Sequence, residues 1–258
     1  MLGAIVGDII GSLYEHRPIK TKEFPFFALG SRFTDDTVLT VAVADAILSG
    51  RGYAEALHDF GLRHPRAGYG GSFMQWLHAQ DRAPYGSWGN GSAMRVSPVG
   101  WAFDSEGDVL EQARLSAEVT HDHPEGVKGA QAVALAVFLA RMGSSREGIR
   151  RRLGTLFGYD LDASVDGIRA DYGFDVSCQG SVPQAMVCFL DSDSWEDAVR
   201  NAVSLGGDSD TLACMAGAVA EAYYGEVPAH LAVRAMRFLP HDLGLVVGDF
   251  RQVFMTDL

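Results

Sequence analysis

The chain has 258 residues, 47% of them hydrophobic, with 21 basic against 33 acidic side chains for a formal charge of −12. That length fits one large domain or two small ones with ample apolar material for a core. The acidic balance argues against a general nucleic-acid or membrane-surface binder, which needs a basic face; it leaves room for an anionic ligand at one local site.

The opening segment, MLGAIVGDIIGSLYE, is apolar but short, contains Asp8 and lacks a basic leader. It reads as a buried helix, not as a signal peptide or a bilayer span. Gly3, Gly7 and Gly11 recur every four residues and share one helix face. Each glycine costs a helix roughly 1 kcal/mol relative to alanine, so three on one face predict the close approach of another backbone.

Helical periodicity continues over Val38–Leu48, Val109–Glu118, Val127–Arg141, Gln184–Leu190, Trp195–Val203, Thr211–Tyr224 and Leu243–Phe254. Ala213, Ala216, Gly217 and Ala220 make the sixth of these slim, which makes it the predicted partner of the glycine face. Arg63–Gly71 and Ala83–Gly91 read as functional loops. Leu153–Gly180 reads as mostly loop with a short helix. No stretch looks like a linker and no alternating strand is convincing, so residues 1–258 form one all-α domain on this reading. Cys178, Cys188 and Cys214 are odd in number and form no C-x-x-C pair. They suit reduced thiols of a cytoplasmic protein better than disulfides or a zinc site.

Two acidic clusters carry the chemistry. Thr34-Asp35-Asp36-Thr37 and Asp208-Ser209-Asp210-Thr211 each stand immediately before an apolar helix. Capping explains one carboxylate or hydroxyl at such a position. It does not explain two carboxylates side by side, which repel. Hard divalent cations take oxygen ligands of this kind. If the two helix starts meet, four carboxylates and two threonine hydroxyls can hold two ions, a centre able to orient a diol and activate a water.

Gly89-Asn90-Gly91-Ser92-Ala93-Met94-Arg95 reads as a loop whose backbone N–H groups and Ser92 point at phosphate oxygens at a helix start, although a Gly-Asn-Gly string alone is usually just a turn. His121 and His123 have zinc-like spacing but no third nitrogen or sulfur ligand nearby; Asp122 or His123 can instead cap the helix that follows. Trp76, Trp88, Trp101 and Phe103 are able to stack a base, but aromatics at such spacings are more often core.

Together these pieces, from Gly3-Ala4-Ile5-Val6-Gly7-Asp8 to about Gly225, resemble the ADP-ribosylglycohydrolases, including the dinitrogenase reductase-activating glycohydrolases. The resemblance implies an orthogonal helical bundle with a central metal cleft. It implies two Mg²⁺ or Mn²⁺ ions on Thr34, Asp35, Asp36, Asp208, Asp210 and Thr211. Glu15 and Asp35 become the acid–base candidates. Tyr69, Gly70 and Gly71, the run Gly89, Asn90, Gly91, Ser92, Met94 and Arg95, and His121 become substrate contacts. The implied reaction is hydrolysis at C1″ of an ADP-ribosylated protein or other ADP-ribose conjugate by a cytoplasmic monomer. Two rivals remain: a non-catalytic, crystallin-like structural member of the same fold, and a phosphohydrolase that cuts the diphosphate.

Overall fold

The computed structural model describes residues 1–255. Among them are fifteen helices: α1 (Leu2–Gly11), α2 (Asp35–Ser49), α3 (Tyr53–Arg63), α4 (Gly71–His78), α5 (Gly91–Met94), α6 (Ser97–Ala102), α7 (Glu106–Glu118), α8 (Pro124–Arg141), α9 (Arg146–Phe157), α10 (Val165–Asp171), α11 (Cys178–Leu190), α12 (Trp195–Ser204), α13 (Ser209–Tyr224), α14 (Ala229–Met236) and α15 (His241–Phe254). The one strand-like pairing among the described residues is an isolated bridge between Gly89 and Ser177. The fold is all-α, with one continuous apolar core. None of the described helices is long and apolar enough to cross a membrane.

At the centre lie α1 and α13, whose mutual contact is the most extensive in the molecule. All of α1 is buried, as is α13 from Ser209 to Ala222. The glycine face meets the slim face as the spacing predicts. A methyl group on Gly217 would lie 2.5 Å from the Gly3 carbonyl oxygen, and one on Gly7 or Gly11 would collide with the backbone at Ala213 or Ser209. Around this pair, α8, α11 and α12 pack on α13, while α2 packs on α1 and supports α3, α6 and α15.

Helix starts lie up to six residues earlier than the apolar runs suggest, because polar caps add a turn. Ser105, Ser145, Ser164, Ser177 and Ser194 each accept a backbone N–H from the first turn of the helix they precede. Helix α11 begins at Cys178 and carries Pro183 inside it. The apolar run from Gln184 therefore marks only the second half of this helix. Within Leu153–Gly180 lie the end of α9, the whole of α10 and the start of α11, so that stretch is more helical than its sequence suggests. Helix α9 escapes notice because five of its twelve residues are charged and it buries only Ile149 and Leu153.

The backbone contact sets a stability test. Gly7→Val should destabilise the protein by about 3 kcal/mol or more, since overpacking here meets main chain that cannot yield. Gly248→Ala, on the exposed side of α15 where no atom lies within 4 Å of the added methyl, should stabilise it by about 0.5–1 kcal/mol. Urea unfolding of both variants checks the pair.

Candidate active site and metal centre

The two acidic clusters sit at the N-termini of α2 and α13, and the folding of α13 against α1 brings those termini together. Thr211 Oγ1 donates to Asp36 Oδ2 at 3.3 Å across 175 positions of sequence. Thr34 is a genuine N-cap, accepting the Asp36 N–H at 3.3 Å. Asp208 is not: it occupies the N-cap position of α13 but makes no capping bond. Its Oδ2 instead accepts the Asn90 side-chain amide at 2.8 Å. Capping therefore accounts for one cluster's leading residue and fails for the other's. Glu15 enters from the turn after α1, and carboxylate oxygens of Glu15, Asp208 and Asp210 all lie within 4.8 Å of one another, a grouping able to hold a metal ion.

No cationic side chain among the described residues forms a salt bridge with Asp35, Asp36, Asp208 or Asp210. Burial, and then the charges of Asp8, Asp208 and Glu15, hold the Asp35 carboxyl up at about 7. Burial with neighbouring carboxylates raises Asp36 and Asp210 well above the ordinary range, and burial raises Asp208 and Glu15 as well. Asp36 Oδ1 is buried with no hydrogen-bond partner. Crowded carboxylates with an orphaned oxygen and flanking hydroxyls suit hard divalent cations, which bind oxygen and supply the missing positive charge.

These residues floor a cleft of about 380 Å³, within the range of small-ligand sites. Its walls are the two loops singled out in the sequence. Ala67, Gly68, Gly70 and Gly71 form one side; Tyr85, Ser87, Gly89, Asn90 and Gly91 form another, with Met94, Arg95 and His121 behind them. No protein atom lies within 4 Å of where a Cβ would stand on Gly70 or Gly71, so backbone is open to a ligand there.

Several predicted contacts have different partners from those expected. The Gly89 N–H donates to Ser87 Oγ at 3.1 Å and the Asn90 N–H to the Val176 carbonyl at 2.7 Å. Only the N–H groups of Gly91 and Ser92, in the first turn of α5, lack an acceptor within that helix. The Ser92 hydroxyl does not face the cleft. It is fully buried and donates to the Gly126 carbonyl at 2.7 Å, tying the loop to α8. Arg95 is fully buried, and its Nη2 donates to the Ser116 carbonyl and to Thr120 Oγ1 at 2.8 and 3.0 Å. Its Nε is buried without a partner. Burial lowers the guanidinium to about 10. The Tyr69 ring lies 5.1 Å from that of Phe73 and its hydroxyl is buried without a partner.

His121 lies under the glycine loop, with Nδ1 2.7 Å from Thr120 Oγ1. Burial, then the Arg95 charge, push it well below the usual histidine range, so it is neutral at pH 7. His123 accepts the Glu125 N–H and caps α8, the plainer of its two readings. Trp76 and Trp101 are core.

Three features of the cleft carried little signal in the sequence. Phe174 and Val176 line it from the segment between α10 and α11. That segment is held by the Asn90 bond and by the Cys178 N–H donating to the Trp88 carbonyl at 3.0 Å. Arg32 lines the mouth as an exposed cation. Asp8, the one charged residue of α1, is wholly buried beneath Thr34; an acid inside an otherwise apolar run was the signal available for it.

The chain belongs to the ADP-ribosylglycohydrolase family, whose model matches residues 1–246. It is 30% identical to the ADP-ribosylhydrolase ARH3 of Homo sapiens, covering 87% of this chain and 84% of that protein. The Mus musculus ADP-ribosylhydrolase ARH3 is also 30% identical, with 87% and 82% covered. A solved structure described as an ADP-ribosylglycohydrolase-related protein complex superposes with a TM-score of 0.73 at 26% identity, over 98% of this chain and 97% of that one. Family and relatives support ADP-ribosyl hydrolase activity.

The ion-free site predicts an inverted pH trend in stability. The folded protein holds Asp8 at about 6 and Asp35 at about 7, above an unfolded aspartate near 3.9. The folded state thus binds more protons between about pH 4 and pH 7, and stability should rise as pH falls through that window. His121 and the Met1 amine, both lowered by burial, oppose the trend within the window, but the raised carboxylates, with Asp36, Asp208 and Asp210 added, outnumber them. Asp59 and Asp242, lowered by Arg63, Arg51 and His64, oppose it only below the window. After chelator treatment the melting temperature should be higher at pH 5 than at pH 7.5, and saturating Mg²⁺ should reduce the difference. Differential scanning fluorimetry measures both.

Proposed function

We propose that this protein hydrolyses the C1″ glycosidic bond of ADP-ribosyl conjugates, releasing ADP-ribose from a protein or other acceptor, with two divalent cations, Mg²⁺ or Mn²⁺, at the acidic site. The observation that carries this reading is the meeting of Asp36 with Thr211 in a cleft also lined by Thr34, Asp35, Asp208, Asp210 and Glu15. Thr34, Asp35, Asp36, Asp208, Asp210 and Thr211 would hold the ions. Bound there, the ions supply Lewis acidity that orients the ribose hydroxyls and makes a water more acidic.

The chain's own groups do the rest. Asp35, in the floor of the cleft among the other acidic groups, accepts the proton of the attacking water as general base. Glu15, partly exposed and raised by burial, gives a proton to the departing acceptor atom. The fixed carboxylates stabilise the positive charge that grows on the ribose ring in an oxocarbenium-like transition state. The Gly91 and Ser92 N–H groups and the Gly70–Gly71 backbone hold the diphosphate, and this remote binding positions C1″. His121, neutral and buried, acts as an uncharged hydrogen-bonding contact, with Asn90 and Met94 on the same wall. Tyr69 and Arg95 support the glycine loops from behind.

The cleft is built within one continuous core, which supports a single domain as the working unit; that this unit acts as a monomer is part of the same proposal. Three buried free thiols, Cys178, Cys188 and Cys214, fit a reducing compartment such as the cytoplasm.

Asp35→Ala and Asp208→Ala should each lower turnover of an ADP-ribosylated protein by about 100-fold or more while far-UV circular dichroism stays near wild type. Chelator should do the same to the wild-type enzyme. Chromatography of the products decides between readings: free ADP-ribose supports the glycosidic cut, AMP with ribose phosphate identifies a phosphohydrolase, and no product from a panel of arginine-, serine- and base-linked conjugates identifies a non-catalytic member of the fold.

A further inference from the structure

Asp8 is a buried carboxylate that the reaction above does not use, and it has more hydrogen-bond donors than any cap requires. Its Oδ1 accepts the Thr34 hydroxyl at 2.7 Å. Its Oδ2 accepts the Thr34 N–H at 2.9 Å, the Thr37 N–H at 3.2 Å and the Thr37 hydroxyl. Four donors fill the two oxygens, so Asp8 has little capacity left to bind an ion itself. A threonine hydroxyl has a single hydrogen. Thr34 lies 2.7 Å from Asp8 Oδ1 but 3.4 Å from Asp36 Oδ2, so that hydrogen goes to Asp8. One lone pair of Thr34 Oγ1 accepts the Asp36 N–H, and the other is left opposite Asp36 Oδ2 at 3.4 Å. Two acceptors opposed at that distance have no hydrogen to share and suit a cation.

We propose that Asp8 is a positioning residue for the metal centre: it draws the Thr34 hydroxyl hydrogen away from the cleft and so fixes Thr34 Oγ1 as an acceptor toward a divalent cation. The inference rests on the metal reading given above and adds to it a residue outside the ligand set. It also explains why the carboxylate stands on α1. One turn further along, Gly11 lies against the backbone of Ser209 and Asp210, so this single helix sets the position of both acidic clusters. Asn at position 8 would reverse the polarity. Its amide NH₂ would face donors it cannot accept from, and Thr34 would have to accept from it and turn its own hydrogen toward Asp36.

Isothermal titration with Mn²⁺, on protein stripped by chelator, tests the proposal without relying on turnover. Asp8→Asn should bind Mn²⁺ about 10–100-fold more weakly than wild type, the usual effect of losing a partner that orients a ligand. Thr37→Val removes another donor to the same carboxylate but leaves Thr34 in place, and should stay within about threefold of wild type by the same reasoning. A purely structural Asp8 predicts instead that the two variants lose affinity alike. Asp8→Glu keeps both acceptor oxygens but displaces them by a methylene; it should also weaken binding, and it serves where Asp8→Asn does not fold. Wild-type affinity in either Asp8 variant overturns the proposal and leaves the metal reading standing. A wild-type protein that takes up no Mn²⁺ overturns both.

Discussion

The contact between the backbones of α1 and α13 is the constraint on which the site depends. Helices that carry side chains at their interface usually keep their axes 8–10 Å apart. Here Gly3, Gly7 and Gly11 on one side and Ala213 and Gly217 on the other let main chain meet main chain. The N-terminus of α13, with Asp208, Asp210 and Thr211, is thereby set beside the end of α1, and Glu15 follows one turn later. Three glycines weaken α1 as an isolated helix. The extensive burial of both helices against one another offsets that weakness.

The second consequence is electrostatic. Packing alone would favour keeping charge out of this centre, yet Asp8, Asp36, Asp208 and Asp210 are all nearly inaccessible to water. They are of two kinds. Asp8 has its oxygens satisfied by the start of α2, whereas Asp36 keeps one oxygen with no partner. Buried polar atoms are almost always paired, so an unpaired carboxylate oxygen on a residue that lines the cleft is the exception that the proposed metal centre would account for.

Much of this was legible from the residues. The all-α class followed from periodicity, and the pairing of α1 with α13 from glycine and alanine spacing. Doubled carboxylates before two helices set them apart from ordinary caps. What the spacing cannot convey is which way a side chain turns once neighbours crowd it. Ser92 and Arg95 sit in the right loop, yet Ser92 turns to Gly126 and Arg95 to Ser116 and Thr120, because α7, α8 and the turn between them offer buried carbonyls and a hydroxyl within hydrogen-bonding reach. The 172–177 segment was illegible for a different reason. It has neither helical nor strand periodicity, and its ties are backbone bonds to Asn90 and Trp88 together with side-chain bonds of Lys20, Tyr172 and Asp175, none of which a local pattern announces.

That segment bears on redesign. Since Phe174 and Val176 reach the cleft from a strap secured by main-chain bonds, their side chains are not needed to hold the strap in place. Phe174 is also 59% exposed. Libraries aimed at a new acceptor can therefore randomise these two positions with little risk to folding, whereas the glycine face of α1 admits no variation at all. The molecule separates an adjustable rim from an incompressible axle.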